Sequence, residues 1–228
     1  KLNEQTQIGD FFQKIDQVIE LQQKALDTAR AYKQSMLQKM FPQKGEKVPR
    51  VRFAGFSGDW GNYVLGQCFL ERNERSSEGE LLSVTINNGV IPSADLNRHD
   101  NSSEDKRNYK RIYVNDIAYN SMRMWQGASG RSDYDGIASP AYTVITPKKN
   151  IDSLYFSYYF KTSIIINEFR KNSQGLVSDT WNLKYPLLKS IKVLVPKIEE
   201  QTAIGNFFQK LDQQIEQQAQ KLATYQQL

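Results

Sequence analysis

The chain has 228 residues, 30 of them basic and 25 acidic, and a formal net charge of +5. Its only cysteine, Cys68, excludes an internal disulfide framework and fits a cytoplasmic environment, and one cysteine with one histidine, His99, excludes a structural zinc site of Cys/His type. The sequence contains no run of 18 apolar residues, which a transmembrane helix would need, so no membrane partner is expected. We also expect no signal peptide before Lys1.

The first predicted element occurs twice. Residues Glu4–Glu20 read EQTQIGDFFQKIDQVIE and residues Glu200–Glu216 read EQTAIGNFFQKLDQQIE, with 13 of 17 positions identical. The chain therefore begins and ends with copies of one element. Because the chain opens in mid-pattern on Lys1 rather than on methionine, we expect a fragment or one half of a longer protein.

Both copies carry apolar residues at alternating steps of four and three, which is the a/d pattern of helices that pack along a narrow stripe. Two amphipathic helices on an ordinary core are the alternative. Asn3 can cap the first helix, Pro42 ends it, and Pro196 precedes the second. The stripe consists of Ile8, Phe12, Ile15, Ile19, Gln22, Leu26, Ala29, Lys33, Met36 and Met40 in the first copy, and of Ile204, Phe208, Leu211, Ile215, Gln218, Leu222 and Tyr225 in the second.

The segment between the helices is predicted to be a mixed domain. Residues 1–42 carry six basic and five acidic groups and residues 196–228 carry three and four, so the excess of +5 lies in residues 43–195. Asn87-Asn88-Gly89 indicates a hairpin turn, and residues 152–171 indicate one buried helix capped by Asp152. Strands are predicted at residues 62–70, 81–86, 112–120, 137–146 and 191–195.

Three polar segments are candidates for nucleic-acid contact. Residues 94–111 form a loop or exposed helix, either a solvated face or a phosphate-contacting edge. Loop A, Ser121–Asp135, places arginine and glutamine side chains among glycines, and such side chains can bond base edges. Loop B, Asn172–Tyr185, is polar and aromatic without a regular period. For Met122 and Met124 we favour a core position.

The motifs of common cofactor sites are missing from the sequence. There is no Walker loop and no dinucleotide or S-adenosylmethionine glycine motif, so no cofactor is expected. Cys68 and His99 lack a supporting catalytic motif, and Cys68 in an apolar strand is expected to be a small core residue. These features favour a binding module over an enzyme.

Several motifs resemble one family. Leu194–Leu222, with its "P…EEQ…I…F…LD" pattern, is similar to the conserved region of the specificity subunits of type I restriction–modification enzymes. Val48–Trp60 resembles the start of that family's target recognition domain. Asp116–Gly130, Ser139–Val144 and Ser173–Pro186 resemble one class of these domains, so the resemblance covers essentially the whole chain.

The resemblance implies a non-catalytic, sequence-specific DNA-binding subunit. Family members usually carry two recognition domains, each reading one half of a bipartite target, and two long helices that pair antiparallel. The helices hold two methyltransferase (M) subunits, which bind S-adenosylmethionine, and the assembly recruits ATP-driven restriction (R) subunits. This chain departs from the pattern by having one recognition domain, so it looks like one half of a subunit.

The expected fold is α+β: one mixed α/β target recognition domain flanked by two heptad-patterned helices that form an antiparallel coiled coil. The expected boundaries are 1–42 for the first spacer helix, 43–195 for the recognition domain and 196–228 for the second helix. Phe12, Ile15 and Ile19 should contact the later part of the second helix. The residues expected to contact double-stranded DNA are Asn120, Arg123, Trp125, Gln126, Arg131, Ser178, Thr180, Trp181, Asn182, Lys184, Lys106 and Lys110.

For Trp125 and Trp181 a packing role competes with stacking on bases. For assembly we expect a homodimer that replaces the missing half, because Met36, Leu37 and Met40 lack an obvious partner within the chain. Two other functions remain open: a coiled-coil scaffold whose middle domain binds protein, and the recognition end of a fused restriction–methylation enzyme.

Overall fold

The computed structural model describes residues 2–96, 103–177 and 180–227. The chain divides into a helical unit, Lys1–Leu37 with Asn206–Leu228, and a globular unit, Gln38–Gly205. The helices are α1 (Leu2–Lys39), α2 (Leu65–Cys68), α3 (Ser153–Tyr159), α4 (Ser163–Asn172), α5 (Tyr185–Leu188) and α6 (Ile198–Tyr225). The strands are β1 (Gly61–Val64), β2 (Phe69–Glu71), β3 (Glu80–Thr85), β4 (Gly89–Pro92), β5 (Lys110–Ile112), β6 (Ile117–Asn120), β7 (Ser129–Arg131), β8 (Gly136–Ala138), β9 (Tyr142–Pro147) and β10 (Lys192–Val195).

In the helical unit α1 and α6 contact each other. Lys33 forms an ion pair with Asp212, and Gln226 lines a shallow cleft together with Ile19 and Gln23. The contacts move toward the start of α1 as α6 proceeds toward its end. None of the helices in the described part of the chain is long and apolar enough to cross a membrane.

The predicted stripe is less exposed than its flanks only from Ile15 onward. Leu26 is buried, whereas Ile8 and Phe12 are each 52% exposed. Both helices rise by the same 1.5 Å per residue, so the pairing of Lys33 with Asp212 sets the end of α6 opposite about residue 20 of α1. The expected contact between Phe12 and α6 is therefore wrong, because α6 ends before it.

The expectation that three apolar residues near the end of α1 lack a partner within the chain is also wrong. Leu37 is 6% exposed and Met40 is 2% exposed, and Met36 is half-buried. Leu37 and Met40 are therefore covered within the single chain, and Met36 is partly covered, so these residues do not form an uncovered apolar surface for a second copy.

The described residues of the globular unit form three sheets. Two have four strands, in the orders β2-β9-β6-β7 and β4-β3-β8-β5, and β1 pairs with β10 in the third. Among these ten strands β3 and β8 pair in parallel, and the other pairings are antiparallel. Buried aliphatic side chains from both four-stranded sheets share one core: Leu82, Val84, Val90, Ile112, Ala118, Ala138 and Val144.

Several predicted elements are interrupted. The predicted strand at 62–70 contains the single turn α2, and the one at 112–120 breaks at Asn115, whose φ of 73° does not fit a strand. The strand predicted at 137–146 breaks before Tyr142, and the helix predicted at 152–171 is divided into α3 and α4. Periodicity does not reveal such breaks, because each fragment keeps its own apolar pattern.

A second core is aromatic. Phe41 stacks on Tyr159 with ring centroids 5.2 Å apart and also contacts Trp60 and Tyr155. Asp152 caps α3 as predicted, because its carboxylate accepts hydrogen bonds from the Leu154 and Tyr155 amides. Cys68 is fully buried, as expected for a core residue, and burial raises the pKa of its thiol to about 12.

Candidate nucleic-acid interface

Loops A and B lie against each other, although about 50 positions separate their centres in the sequence. The Leu183 amide of loop B donates a hydrogen bond to the Ser121 carbonyl of loop A at 2.8 Å. The indole rings of Trp125 and Trp181 meet edge to face with centroids 5.3 Å apart. The structure therefore joins the two segments into one continuous surface.

The backbone of loop A is closely fixed. The loop leaves β6 at Asn120, forms a 3-10 helix at Met124–Gln126 and returns through β7. Gly127 follows with a φ of 83°, a left-handed conformation that glycine adopts without strain. Met124 is fully buried, as predicted, whereas Met122 is 42% exposed, so its predicted core position is wrong.

The polar side chains of loop A differ in their exposure and in their hydrogen bonds within the chain. Gln126 is exposed and Arg123 is half-buried. The Asn120 carboxamide accepts a hydrogen bond from the Met122 amide, so it shapes the loop. Arg131 donates to Asn115 at 3.0 Å and pairs with Asp133, and these bonds would have to break before its guanidinium could reach a base.

The two described arms of loop B pair with each other. Gln174 and Asn182 exchange two backbone hydrogen bonds, at 3.1 and 2.8 Å. The Thr180 hydroxyl donates to the Val177 carbonyl at 2.9 Å, and Lys184 is exposed beside α5. Ser178 lies outside the described residues.

The tryptophans pack on one another as well as bordering both loops. The Trp125 indole N–H donates to the Met122 carbonyl at 3.1 Å, so its polar edge is already satisfied. This placement fits the packing role, and it leaves Trp181 half-buried at the base of loop B.

Lys106 and Lys110 lie elsewhere. β5 occupies the edge of its sheet opposite β4, about 14 Å away at three strand spacings. The Lys110 side chain is only 12% exposed and pairs with Glu71 at 3.7 Å, and burial lowers its pKa. This position does not fit an exposed phosphate contact. Lys106 donates to the Ser103 carbonyl and lies over the Tyr109 ring.

One contact of loop A has no counterpart among the residues predicted from the sequence. The Lys161 ammonium, between α3 and α4, donates to the Gly127 carbonyl of loop A at 2.6 Å and to the Ile86 carbonyl at 2.9 Å. Ile86 begins the turn between β3 and β4. No motif signals this residue, because its partners lie 34 and 75 positions away.

Comparisons with known proteins identify the fold. A family model described as "Type I restriction modification DNA specificity domain" matches residues 58–224. The fold is similar to the HsdS subunit from Thermoanaerobacter tengcongensis, with a TM-score of 0.62 and 14% identity over 97% of this chain and 54% of that one. The S subunit of a type I restriction-modification system from M. genitalium is also similar, with a TM-score of 0.59 and 16% identity over 98% and 58% of the two chains.

A third similar chain comes from work on complex assembly and conformational transition of the type I R-M system, with a TM-score of 0.60 and 16% identity over 97% and 55% of the two chains. No curated protein sequence matches significantly. This chain spans about half the length of the three similar solved chains (54–58%).

Proposed function

Since the chain belongs to the family of type I restriction modification DNA specificity domains, we propose that it reads one half of a bipartite DNA target for a methyltransferase complex. Loops A and B form the reading surface, and α1 and α6 form the spacer that docks M subunits and, through them, R subunits. The chain itself supplies binding and positioning, with no catalytic step assigned to it.

The observation that carries this proposal is the junction of the two loops. Base reading requires side chains held at fixed spacing, because each hydrogen bond to a base edge depends on small displacements. The bond from Leu183 to Ser121 and the Trp125–Trp181 contact supply that rigidity. Arg123 and Gln126 lie on this support and are our leading candidates for base contacts.

Replacing Arg123 or Gln126 with alanine tests the proposal. Each change should weaken binding to the selected half-site by about 1–3 kcal/mol, because a bidentate contact to a base edge is lost. Binding to unrelated duplex DNA should change little. The measurement is fluorescence anisotropy of the purified chain on duplexes first selected from a random pool.

Lys106→Ala is the matched comparison, because a phosphate contact weakens all duplexes alike and reduces the salt dependence of binding. Equal losses on both DNAs for Arg123→Ala and Gln126→Ala would assign these residues to phosphate contact or to structure. A chain that binds no duplex at any salt concentration would favour the protein-binding scaffold instead.

We infer further that α1 and α6 pair as an antiparallel coiled coil. We also infer that two copies of the chain associate through the start of α1, beyond the end of α6. The supporting feature is an apolar surface that the chain leaves uncovered: Leu2 is 81% exposed, Phe11 60%, and Ile8 and Phe12 52% each. A second copy can cover it symmetrically, because the same segment on both chains makes an isologous contact. This association brings two recognition domains together and predicts an interrupted palindrome as the target.

Sedimentation at micromolar concentration tests the association. The chain should sediment at about twice its mass of 26.3 kDa, and Phe12→Glu should shift it to the monomer because a charge disfavours burial. Glu20→Gln on the same helix, at an exposed polar position, should leave the dimer intact. A species of 26.3 kDa that Phe12→Glu does not alter would refute the dimer.

A further inference from the structure

The turn between β3 and β4 lies directly beside loop A. A Cβ atom added to Gly130 of β7 would come within 2.6 Å of the Gly89 Cα, so the two backbones approach as closely as glycine allows. On the other side of the turn, the Lys161 ammonium donates one hydrogen bond to the Ile86 carbonyl and another to the Gly127 carbonyl of loop A. The turn and loop A are therefore fixed to each other at two points.

The tip of this turn consists of two asparagines. Asn87 and Asn88 are both exposed, and no hydrogen bond from either side-chain amide to another described residue is present. The backbone beneath them is held, because the Asn88 amide donates to the Thr85 hydroxyl at 2.9 Å and that hydroxyl donates to the Gly89 carbonyl at 3.3 Å.

Turn geometry by itself does not require these asparagines. Asparagine is favoured in turns partly because it tolerates a positive φ. In this turn the positive φ, 65°, belongs to Gly89. Among the described residues, Asn115 and Asn150 are the only non-glycine residues with a positive φ, so Asn87 and Asn88 do not adopt one. The two carboxamides at the tip thus have no structural task in the described part of the chain.

We propose that the β3–β4 turn is a third DNA-reading element, in which Asn87 and Asn88 recognise adenine in an A·T base pair next to the bases read by loop A. A carboxamide both donates and accepts, which matches the N6 donor and N7 acceptor of adenine in the major groove. Lys161 is a positioning residue that sets the spacing between the turn and Gln126. This inference rests on the proposed function and extends its reading surface.

The experiment begins with the wild-type chain and a pool of random duplexes. The wild type should select a half-site that contains at least one adenine outside the positions affected by Gln126→Ala. Asn87→Ala combined with Asn88→Ala should lose selection at that adenine and bind the original half-site about 5- to 150-fold more weakly. Substituting 7-deazaadenine there, which removes the N7 acceptor, should weaken the wild type but not the double variant.

Asn73→Ala is the matched control. Asn73 is also exposed, but it follows β2, at the opposite edge of its sheet from β7, so selection should be unchanged. Lys161→Met should blur selection at both the adenine and the Gln126 positions while the affinity for unrelated duplexes stays the same. A merely structural role would lower binding to all duplexes alike.

The outcomes separate this inference from the function it rests on. If the wild type selects no sequence, the proposed function itself fails. If the wild type selects a half-site, and the double asparagine variant selects the same one with the same affinity, the third element is refuted while DNA reading by loops A and B stands.

Discussion

Asp116→Ala should lower the free energy of unfolding by about 3–5 kcal/mol, because it leaves the charge of Arg72 without its main partner in a largely buried position. The Asp116 carboxylate is 2% exposed and accepts two hydrogen bonds from the Arg72 guanidinium, at 2.7 and 3.1 Å. It also accepts bonds from the Thr146 hydroxyl and the Tyr113 amide, each at 2.9 Å. Urea unfolding of the purified chain measures the loss.

Glu74→Ala provides the comparison for this change. Glu74 contacts the same guanidinium at 3.3 Å but is 47% exposed, so its removal should cost less than about 1 kcal/mol. Similar losses for the two variants would mean that the burial of Asp116 adds nothing to its contribution. Asp116 is the first residue of the segment Asp116–Gly130 that resembles the family. A large loss of stability in Asp116→Ala would mean that this residue of the motif stabilises the fold.

Glu200→Ala should cost about 3 kcal/mol, near the lower end of the range for a buried ion pair because its partner keeps some access to water. Glu200 is 2% exposed and accepts hydrogen bonds from two nitrogens of Arg52, at 2.7 and 2.8 Å, and the Arg52 side chain is 18% exposed. An arginine guanidinium keeps its charge without a partner, so Glu200→Ala leaves the Arg52 charge in place and removes the carboxylate that neutralises it. Chemical unfolding again supplies the measurement.

The repeat offers a matched control within the same chain. Glu4 occupies the position of Glu200 in the first copy, but it is exposed, so Glu4→Ala should change the free energy of unfolding by less than about 0.5 kcal/mol. If both glutamates prove equally costly, the effect comes from the helix itself rather than from the Arg52 pair.

The candidate interface depends on contacts of the same long-range kind. Loops A and B were each recognised by composition, but the Ser121–Leu183 bond, the Trp125–Trp181 contact and the Lys161 bridge had no signal in the sequence. Composition identifies side chains that suit DNA. Only the folded chain shows that Arg131 and Lys110 are held by acidic partners and that Gln126 is exposed.

Local patterns in the sequence predicted part of the local structure. The steps of four and three predicted α1 and α6, the Asn-Asn-Gly tripeptide predicted the β3–β4 hairpin, and Asp152 predicted the start of α3. These features depend on residues within about four positions of each other, where backbone geometry alone decides which side chains are neighbours.

Burial depends on contacts between distant parts of the chain, and the repeat shows why. Ile8 and Ile204 occupy equivalent positions in nearly identical stretches, yet Ile8 is 52% exposed and Ile204 is 2% exposed. Glu200 reaches a partner 148 positions away, and Asp116 one 44 positions away. Such contacts depend on how the whole chain closes on itself, so the same 17-residue pattern can form a helix in both places and be buried in only one.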